Sequence, residues 1–357
     1  MNVKSYVFDG PPRDPDTPAL KMTAKQYTPV ISVEGDKEGL TLLFAHCIGA
    51  HKEQWEPTIE HLFHTQAAKD DAHRVREAWA FDWQNHGDSA VLNREALKER
   101  PEGVCEPTNE THASNGRLTT LTAAFEWCAA IASFINLPHM QGHRIVLVGH
   151  SAGAAAIALT TNFVPTFAHQ YAALILVEPT MVTREVFASE LEDRMSAMEF
   201  AVTATSARRD RWTSRAEALT YFVKRVPWGM WDERIVKILV EHGLEDDPAG
   251  NGVRLKCDRA QESVSYPDVD PHFEGAVHLA RICHTVPIHL IWGTRNDLVP
   301  EFIQDSLSEA AEGRMAASVM KIEDAGHMVV QEQPNLLAQA IADIIDRIDS
   351  VATRSKL

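Results

Sequence analysis

The stretch "VLVGHSAGAAAIAL", Val146 to Leu159, joins an aliphatic run to an alanine-rich run across a single serine, Ser151. The first half reads as a buried strand and the second as a helix, which puts Ser151 in the turn between them. Gly149 and Gly153 stand two residues to either side. At so sharp a turn a side chain at either place would collide with neighbouring elements, and glycine removes it. The pattern predicts a nucleophile held up on a strained turn. The next amide, that of Ala152, and the helix N-terminus would then face a developing oxyanion. G-x-S-x-G alone is common by chance; the strand–turn–helix setting is what favours a nucleophile over an ordinary turn.

The same rhythm continues on both sides. "LTLLFAH" (40–46), "EAWAFDW" (77–83), "RIVLVGH" (144–150), "AALILVEP" (172–179), "VPIHLIWG" (286–293) and "ASVMKIED" (317–324) are short, nearly continuous apolar runs. Strands buried on both faces need that composition, so they predict an α/β fold with a mostly parallel central sheet flanked by helices. "KSYVF" and "KQYTPVISV" near the N-terminus predict an antiparallel edge. "LTTLTAAFEWCAAIASFINLP" (118–138) is helical, with Leu121, Phe125, Cys128, Ile131 and Ile135 on one face. "NLLAQAIADIIDRIDSVA" (335–352) is a second amphipathic helix, with Asn335 placed to cap it. Residues 93–117 are polar and predict a long loop. Residues 180–285 are too long for one crossover and predict a helical cap inserted over a core of residues 1–179 and 286–357.

A serine hydroxyl needs a base, and the base needs an orienting acid. On this kind of sheet they follow the serine in the order acid, histidine. "EDAGHMVVQEQP" (323–334) sets His327 in a loop after the last predicted strand, the place for the base. Two carboxylates suit the acid. Asp297 in "WGTRNDLVP" (292–300) follows the penultimate strand and is favoured, although the commoner spacing falls one residue earlier, on Asn296. Glu178 in "LVEPT" (176–180), at the end of the strand before the cap, is the alternative. The turn in "FAHCIGAHKEQWEP" (44–57) would supply a second oxyanion amide, that of Ile48, beside Ala152. His46 and Cys47 open that turn and are candidate substrate contacts. A thiol with no assigned base is more simply a small buried residue.

The formal charge of −16 argues against nucleic acid as a partner. A local basic cluster, Arg208, Arg209, Arg211 and Arg215, nevertheless falls in the expected cap. It is either a solvated helix face or, through Arg208 and Arg211, a grip on an anionic substrate such as the phosphates of an acyl-CoA. Five scattered cysteines fit free thiols rather than a disulfide framework. No apolar run approaches a transmembrane span and no signal peptide opens the chain, so stable membrane insertion is not expected. His61 and His64 lack partner ligands, and no H-E-x-x-H, P-loop or G-x-G-x-x-G is present, so neither metal nor cofactor is expected. The chain ends in Ser355, Lys356 and Leu357, the tripeptide read by the peroxisomal import receptor, which predicts a peroxisomal address.

These motifs, with "DWQNHGDS" (82–89) and the terminal "SKL", resemble the α/β-hydrolases, and more closely a fungal peroxisomal lipase and toxin-cluster hydrolase group. In the cap, "RWTSRAEA" (211–218) and "WDERIVKILVEHGL" (231–244) share in the resemblance. It implies the α/β-hydrolase fold, a serine–acid–histidine triad, and structural roles for His86 and Asp88. Cys47, in place of the usual glycine, and the shifted acid depart from the pattern. The resulting expectation is a serine hydrolase cleaving a carboxylic ester of a small-molecule acyl substrate, a lipid or a secondary metabolite. An acyl-CoA thioesterase or acyltransferase using the same site, and a non-catalytic ligand-binding protein, are the alternatives.

Overall fold

Each predicted apolar run is a strand in the computed structural model, which describes residues 1–12, 18–30, 39–69, 73–99, 124–163, 171–250 and 252–348. In chain order the strands are β1 (Asn2–Asp9), β2 (Lys21–Thr28), β3 (Leu40–Ala45), β4 (Val75–Phe81), β5 (Arg144–His150) and β6 (Tyr171–Val177), then β7 (Arg211–Trp212), β8 (Leu244–Asp246) and β9 (Val253–Leu255), and finally β10 (Ile288–Gly293) and β11 (Ser318–Ile322). The main sheet has the order β1-β2-β4-β3-β5-β6-β10-β11. The first two strands run antiparallel, as expected of the N-terminal segment, and the rest are parallel.

Successive side chains on a strand point to opposite faces, so a continuous apolar run feeds two cores at once. Leu43, Ile145 and Leu147 pack on one face with helices α3 (Ala124–Ile135), α4 (Ala152–Thr160) and α10 (Asp270–Ile282). Their alternating neighbours Leu42, Phe44, Val146 and Val148 pack on the other with α1 (Glu56–Gln66) and α13 (Pro334–Ile345). Helix α2 (Gly87–Lys98) lies beside β2.

The inserted segment carries α5 (Arg184–Ser189), α6 (Leu191–Ala207), α7 (Arg215–Val223), α8 (Glu233–His242), α9 (Arg259–Ser263) and the small sheet β7-β9-β8. It has its own core, in which Trp212, Phe222, Ile235 and Leu239 meet. Helix α10 does not belong to it. Phe273, Ala276 and Leu279 join the main core against α4, so the insertion closes before Asp270 rather than at 285. The expected boundary counted α10 with the cap because only strands marked the return of the core.

Two other expectations shift. Residues 93–98 are helical rather than looped, because α2 continues to Lys98 with Asn93 tied to the carbonyls of Lys21 and Gln84. Asn335 lies inside α13 instead of capping it, and its Oδ1 accepts from Arg234 of α8. Leu121, Cys105 and the tripeptide Ser355-Lys356-Leu357 lie outside the described residues. Among the described residues, Cys47, Cys128, Cys257 and Cys283 are free thiols. No described helix is long and apolar enough to cross a membrane.

Candidate active site

Strands β5, β6, β10 and β11 lie side by side, so the loops after their C-terminal ends converge on one edge. Ser151 follows β5 in a conformation that L-residues rarely adopt, φ 56° and ψ −119°. Such a backbone costs about 1–3 kcal/mol and persists only where its surroundings enforce it. Here the enforcement is close packing. A Cβ on Gly153 would stand 2.5 Å from the carbonyl oxygens of Ala45 and His46, and one on Gly149 would run into Gly153 and Ala154. The Ser151 amide donates to Val177 O at 3.0 Å, which ties the turn to β6.

His327 Nε2 stands 3.0 Å from Ser151 Oγ. Its other ring nitrogen, Nδ1, lies 3.2 Å from Glu178 Oε2. A carboxylate can only accept, so Nδ1 carries the proton and Nε2 is left to accept from the serine hydroxyl. Glu178 is held in turn by the Gly293 amide, which donates to Oε1 at 2.6 Å, and its own backbone has φ 47°. All three residues are buried: Ser151 6%, His327 6% and Glu178 2% exposed.

Asp297 does not meet the ring. Its Oδ1 accepts the backbone amide of His327 at 2.8 Å, and its carboxylate is half exposed beside Arg295. The favoured assignment of Asp297 as the orienting acid is thus replaced by the alternative, Glu178. The reason lies in the loop after β10. The Asp297 amide turns back onto Arg295 O, aiming the carboxylate along the main chain of His327. Asn296, at the commoner acid position, accepts from Gln304 instead.

His327 is gripped at its carbonyl too. His150 Nε2 donates to His327 O at 2.7 Å, and burial holds the His150 pKa well below the ordinary imidazole value. His150 therefore stays neutral with its proton on Nε2. It was not singled out in the sequence because it is the variable residue of G-x-S-x-G.

On the oxyanion side, Ala152 opens α4, so its amide has no helical carbonyl to meet. Ile48 sits in the facing turn. The amide of the next residue, Gly49, is already committed to His86 Nε2 at 3.0 Å. His46 is fully used within the fold: Nδ1 donates to Cys47 O, and Nε2 accepts from the Trp83 amide. Burial brings its pKa down to about 4. Burial likewise pushes the Cys47 thiol up to about 12, which leaves no thiolate near neutrality. His46 therefore has no ring nitrogen free for a substrate, and Cys47 is buried with its Sγ facing Gln331 Nε2.

The arginine cluster is also committed. Arg208 makes a two-pronged pair with the buried Glu262, at 3.0 and 2.5 Å, and Arg211 pairs with Asp247. Arg209 and Arg215 pair with Glu217 and Asp246. Of the two readings of this cluster, the grip on an anionic substrate is the less favoured, because each guanidinium already has a carboxylate. A cavity between the oxyanion turn and the cap is lined by Gly49, His51, Arg208, Trp228, Cys257 and Glu262, among others.

Asp88 and His86 have structural partners. Buried Lys52 donates to Asp82 and Asp88, each at 2.7 Å, and lies 2.9 Å from Glu53. Burial alone would lower the Lys52 pKa, but these carboxylates outweigh it and hold the ammonium charged. No cluster of three metal-ligating side chains occurs among the described residues.

Comparison with known proteins agrees with this architecture. A family model described as "Alpha/beta hydrolase family" matches residues 42–340. The chain is structurally similar to the peroxisomal alpha-beta-hydrolase Lpx1 of Saccharomyces cerevisiae, with TM-score 0.70 and 20% identity over 97% of this chain and 88% of that one. It is also similar to an E-2-(acetamidomethylene)succinate hydrolase, with TM-score 0.65 and 17% identity over 97% and 100%. A thioesterase domain from the curacin biosynthetic pathway gives TM-score 0.60 and 16% identity over 97% and 99%. A search of curated protein sequences finds no match.

Proposed function

The chain belongs to the alpha/beta hydrolase family, and on that premise we propose that it is a serine hydrolase cleaving a carboxylic ester through a covalent acyl-enzyme. The observation that carries this reading is the unbroken contact line Ser151–His327–Glu178, at 3.0 and 3.2 Å. Ser151 Oγ attacks the ester carbonyl as its proton passes to His327 Nε2. The carbonyl oxygen becomes an oxyanion, which the Ile48 and Ala152 amides stabilise. Glu178 stabilises the imidazolium that forms. Collapse breaks the bond to the alcohol, which leaves with the proton from Nε2. Water then repeats the sequence on the acyl-enzyme, giving the carboxylic acid and restoring the serine hydroxyl.

An oxygen ester is preferred to an acyl-CoA thioester because Arg208 and Arg211, the groups suited to phosphate, are paired with Glu262 and Asp247. Turnover of p-nitrophenyl esters that is lost in Ser151→Ala supports the proposal. A Ser151→Ala protein that retains full biological activity supports a ligand-binding protein instead. Release of free thiol from acyl-CoA at a greater kcat/KM than from any ester would move the substrate class to thioesters.

The terminal Ser355-Lys356-Leu357 is proposed as the contact for the peroxisomal import receptor. The peroxisomal name of the yeast structural neighbour supports the same compartment. A fluorescent fusion bearing the intact C-terminus should colocalise with a peroxisomal marker, and removing the tripeptide should disperse it. Dispersed signal from the intact chain would refute the address.

A further inference from the structure

The oxyanion turn is built in part by the cap. Gly49 adopts φ 78°, and the space its side chain would fill is taken by Glu262 of α9, whose Oε1 lies 2.8 Å from that Cβ position. Glu262 is 1% exposed, and both of its oxygens are held by Arg208, at the C-terminal end of α6. A second line reaches the same turn. Gln261 O and Ser265 Oγ accept from Asn85 Nδ2 at 3.0 and 3.3 Å, Asn85 Oδ1 accepts from His86 Nδ1 at 2.6 Å, and His86 Nε2 accepts the Gly49 amide at 3.0 Å.

A bare carboxylate against this turn would oppose negative charge growing on a substrate oxygen. Because Glu262 is buried, it would act through a lower effective dielectric than water. The paired guanidinium cancels that field and fixes the carboxylate as a wedge. Burial alone would lower the Arg208 pKa, but Glu262 outweighs it, so the guanidinium remains charged.

We propose that Arg208 and Glu262 are positioning residues for catalysis. The cap carries them to the Ile48–Gly49 turn, where the wedge holds the oxyanion amide in place and the arginine neutralises the wedge. The inference rests on the serine-hydrolase reading of the site. It makes the cap part of the catalytic constellation, so that the core without it is incomplete even for small substrates.

The test uses the full-length chain and the variants Arg208→Met, Glu262→Gln and Arg208→Met/Glu262→Gln. It reads kcat and KM for p-nitrophenyl acetate, Ki for a trifluoromethyl ketone that mimics the tetrahedral adduct, and Tm. Arg208→Met leaves the carboxylate uncompensated and should lower kcat at pH 8 about 100-fold, comparable to losing an oxyanion donor. Its KM should change little, and Ki should weaken in parallel with kcat/KM. Glu262→Gln keeps the wedge without its charge and should lose only a few-fold. The double variant should recover at least about 10-fold over Arg208→Met in both kcat and Ki, read well below the Tm of either protein so that a difference in folded fraction does not contribute.

A folded Arg208→Met protein with wild-type kcat and Ki, or a double variant no better than Arg208→Met, overturns the proposal. Wild-type protein is first labelled with a fluorophosphonate. Failure to label Ser151 overturns the hydrolase reading and this proposal together, whereas labelled wild type with an unaffected Arg208→Met overturns this proposal alone.

Discussion

Glu178 and His327 stand 149 positions apart in the chain, yet Glu178 Oε2 meets His327 Nδ1 at 3.2 Å while Asp297, closer in sequence, meets the His327 backbone. The two carboxylates thus hold different parts of one residue. Glu178 sets the tautomer and orientation of the ring, and Asp297 anchors the loop that carries it. Asp297→Asn keeps an oxygen for the His327 amide and should hold kcat within about 10-fold of wild type. Asp297→Ala removes that acceptor and should cost about 1 kcal/mol of stability, the net worth of a hydrogen bond. Steady-state kinetics with urea denaturation of both variants check this. A loss of about 10⁴ in Asp297→Asn would return the acid role to Asp297.

His150 supplies the opposite anchor. His150→Phe leaves the His327 carbonyl buried without its donor, at a cost of about 1–3 kcal/mol. The displaced ring should lower kcat by about 10- to 100-fold with little change in KM. His150→Gln can still donate and should be milder in both respects. Equal loss in the two variants would show that shape at this position, and not the donated proton, is what matters.

The nucleophile turn makes a sharper demand. Gly153→Ala presses a methyl group onto the Ala45 and His46 carbonyls. It should yield unfolded protein or a thermal transition many degrees lower, because backbone on both sides leaves no flexible atom to yield. Differential scanning calorimetry would read this directly, and an unchanged Tm would contradict the packing described around Ser151.

Acid stability has an identified contributor in Glu77. Burial would raise its pKa, but hydrogen bonds from His143 and Gln26 more than compensate and bring it down to about 2. A depressed carboxylate pKa stabilises the fold above the unfolded-state value, near 4.3, and that stability is lost as pH falls towards the folded-state value. Wild type should therefore lose on the order of 3 kcal/mol more than Glu77→Gln between about pH 5 and pH 2. Urea midpoints across that range measure it, and parallel curves for the two proteins would refute it.

Lys52 shows how a buried cation depends on its partners. Lys52→Met leaves Asp82 buried without its ammonium partner, while Glu53 keeps Lys25 and His51, and should cost about 3–5 kcal/mol, enough to endanger the fold. Lys52→Arg retains the charge and should be better tolerated. Chemical denaturation ranks the variants, and a stable Lys52→Met protein would contradict the role of this network.

Sequence and structure part company where partners are distant in the chain. Ser151 and His327 were legible because local features mark them: flanking glycines, a strand before the turn, a loop after the last strand. Choosing between Glu178 and Asp297 required knowing that β6 adjoins β5 and that the loop after β10 folds back on Arg295. Neither that turn nor the positive φ of Glu178 leaves a periodic trace. Arg208 looked like a surface cation because its partner Glu262 lies 54 residues away. His150 fills a position where the motif admits any residue. The inner parallel strands were readable because doubly buried strands must be apolar, whereas the edge strand β11 is exposed on one face and α10 carried no mark to separate it from the cap.

The central claim is that Ser151 is activated by His327 and oriented through Glu178. The most direct measurement is fluorophosphonate labelling, with the adduct located by mass spectrometry, in wild type, His327→Ala, Glu178→Gln and Asp297→Asn. The account predicts an adduct on Ser151 in wild type and Asp297→Asn, and its loss or slowing by orders of magnitude in His327→Ala and Glu178→Gln. Rapid labelling of Glu178→Gln with none in Asp297→Asn, or an adduct on any residue other than Ser151, would contradict it.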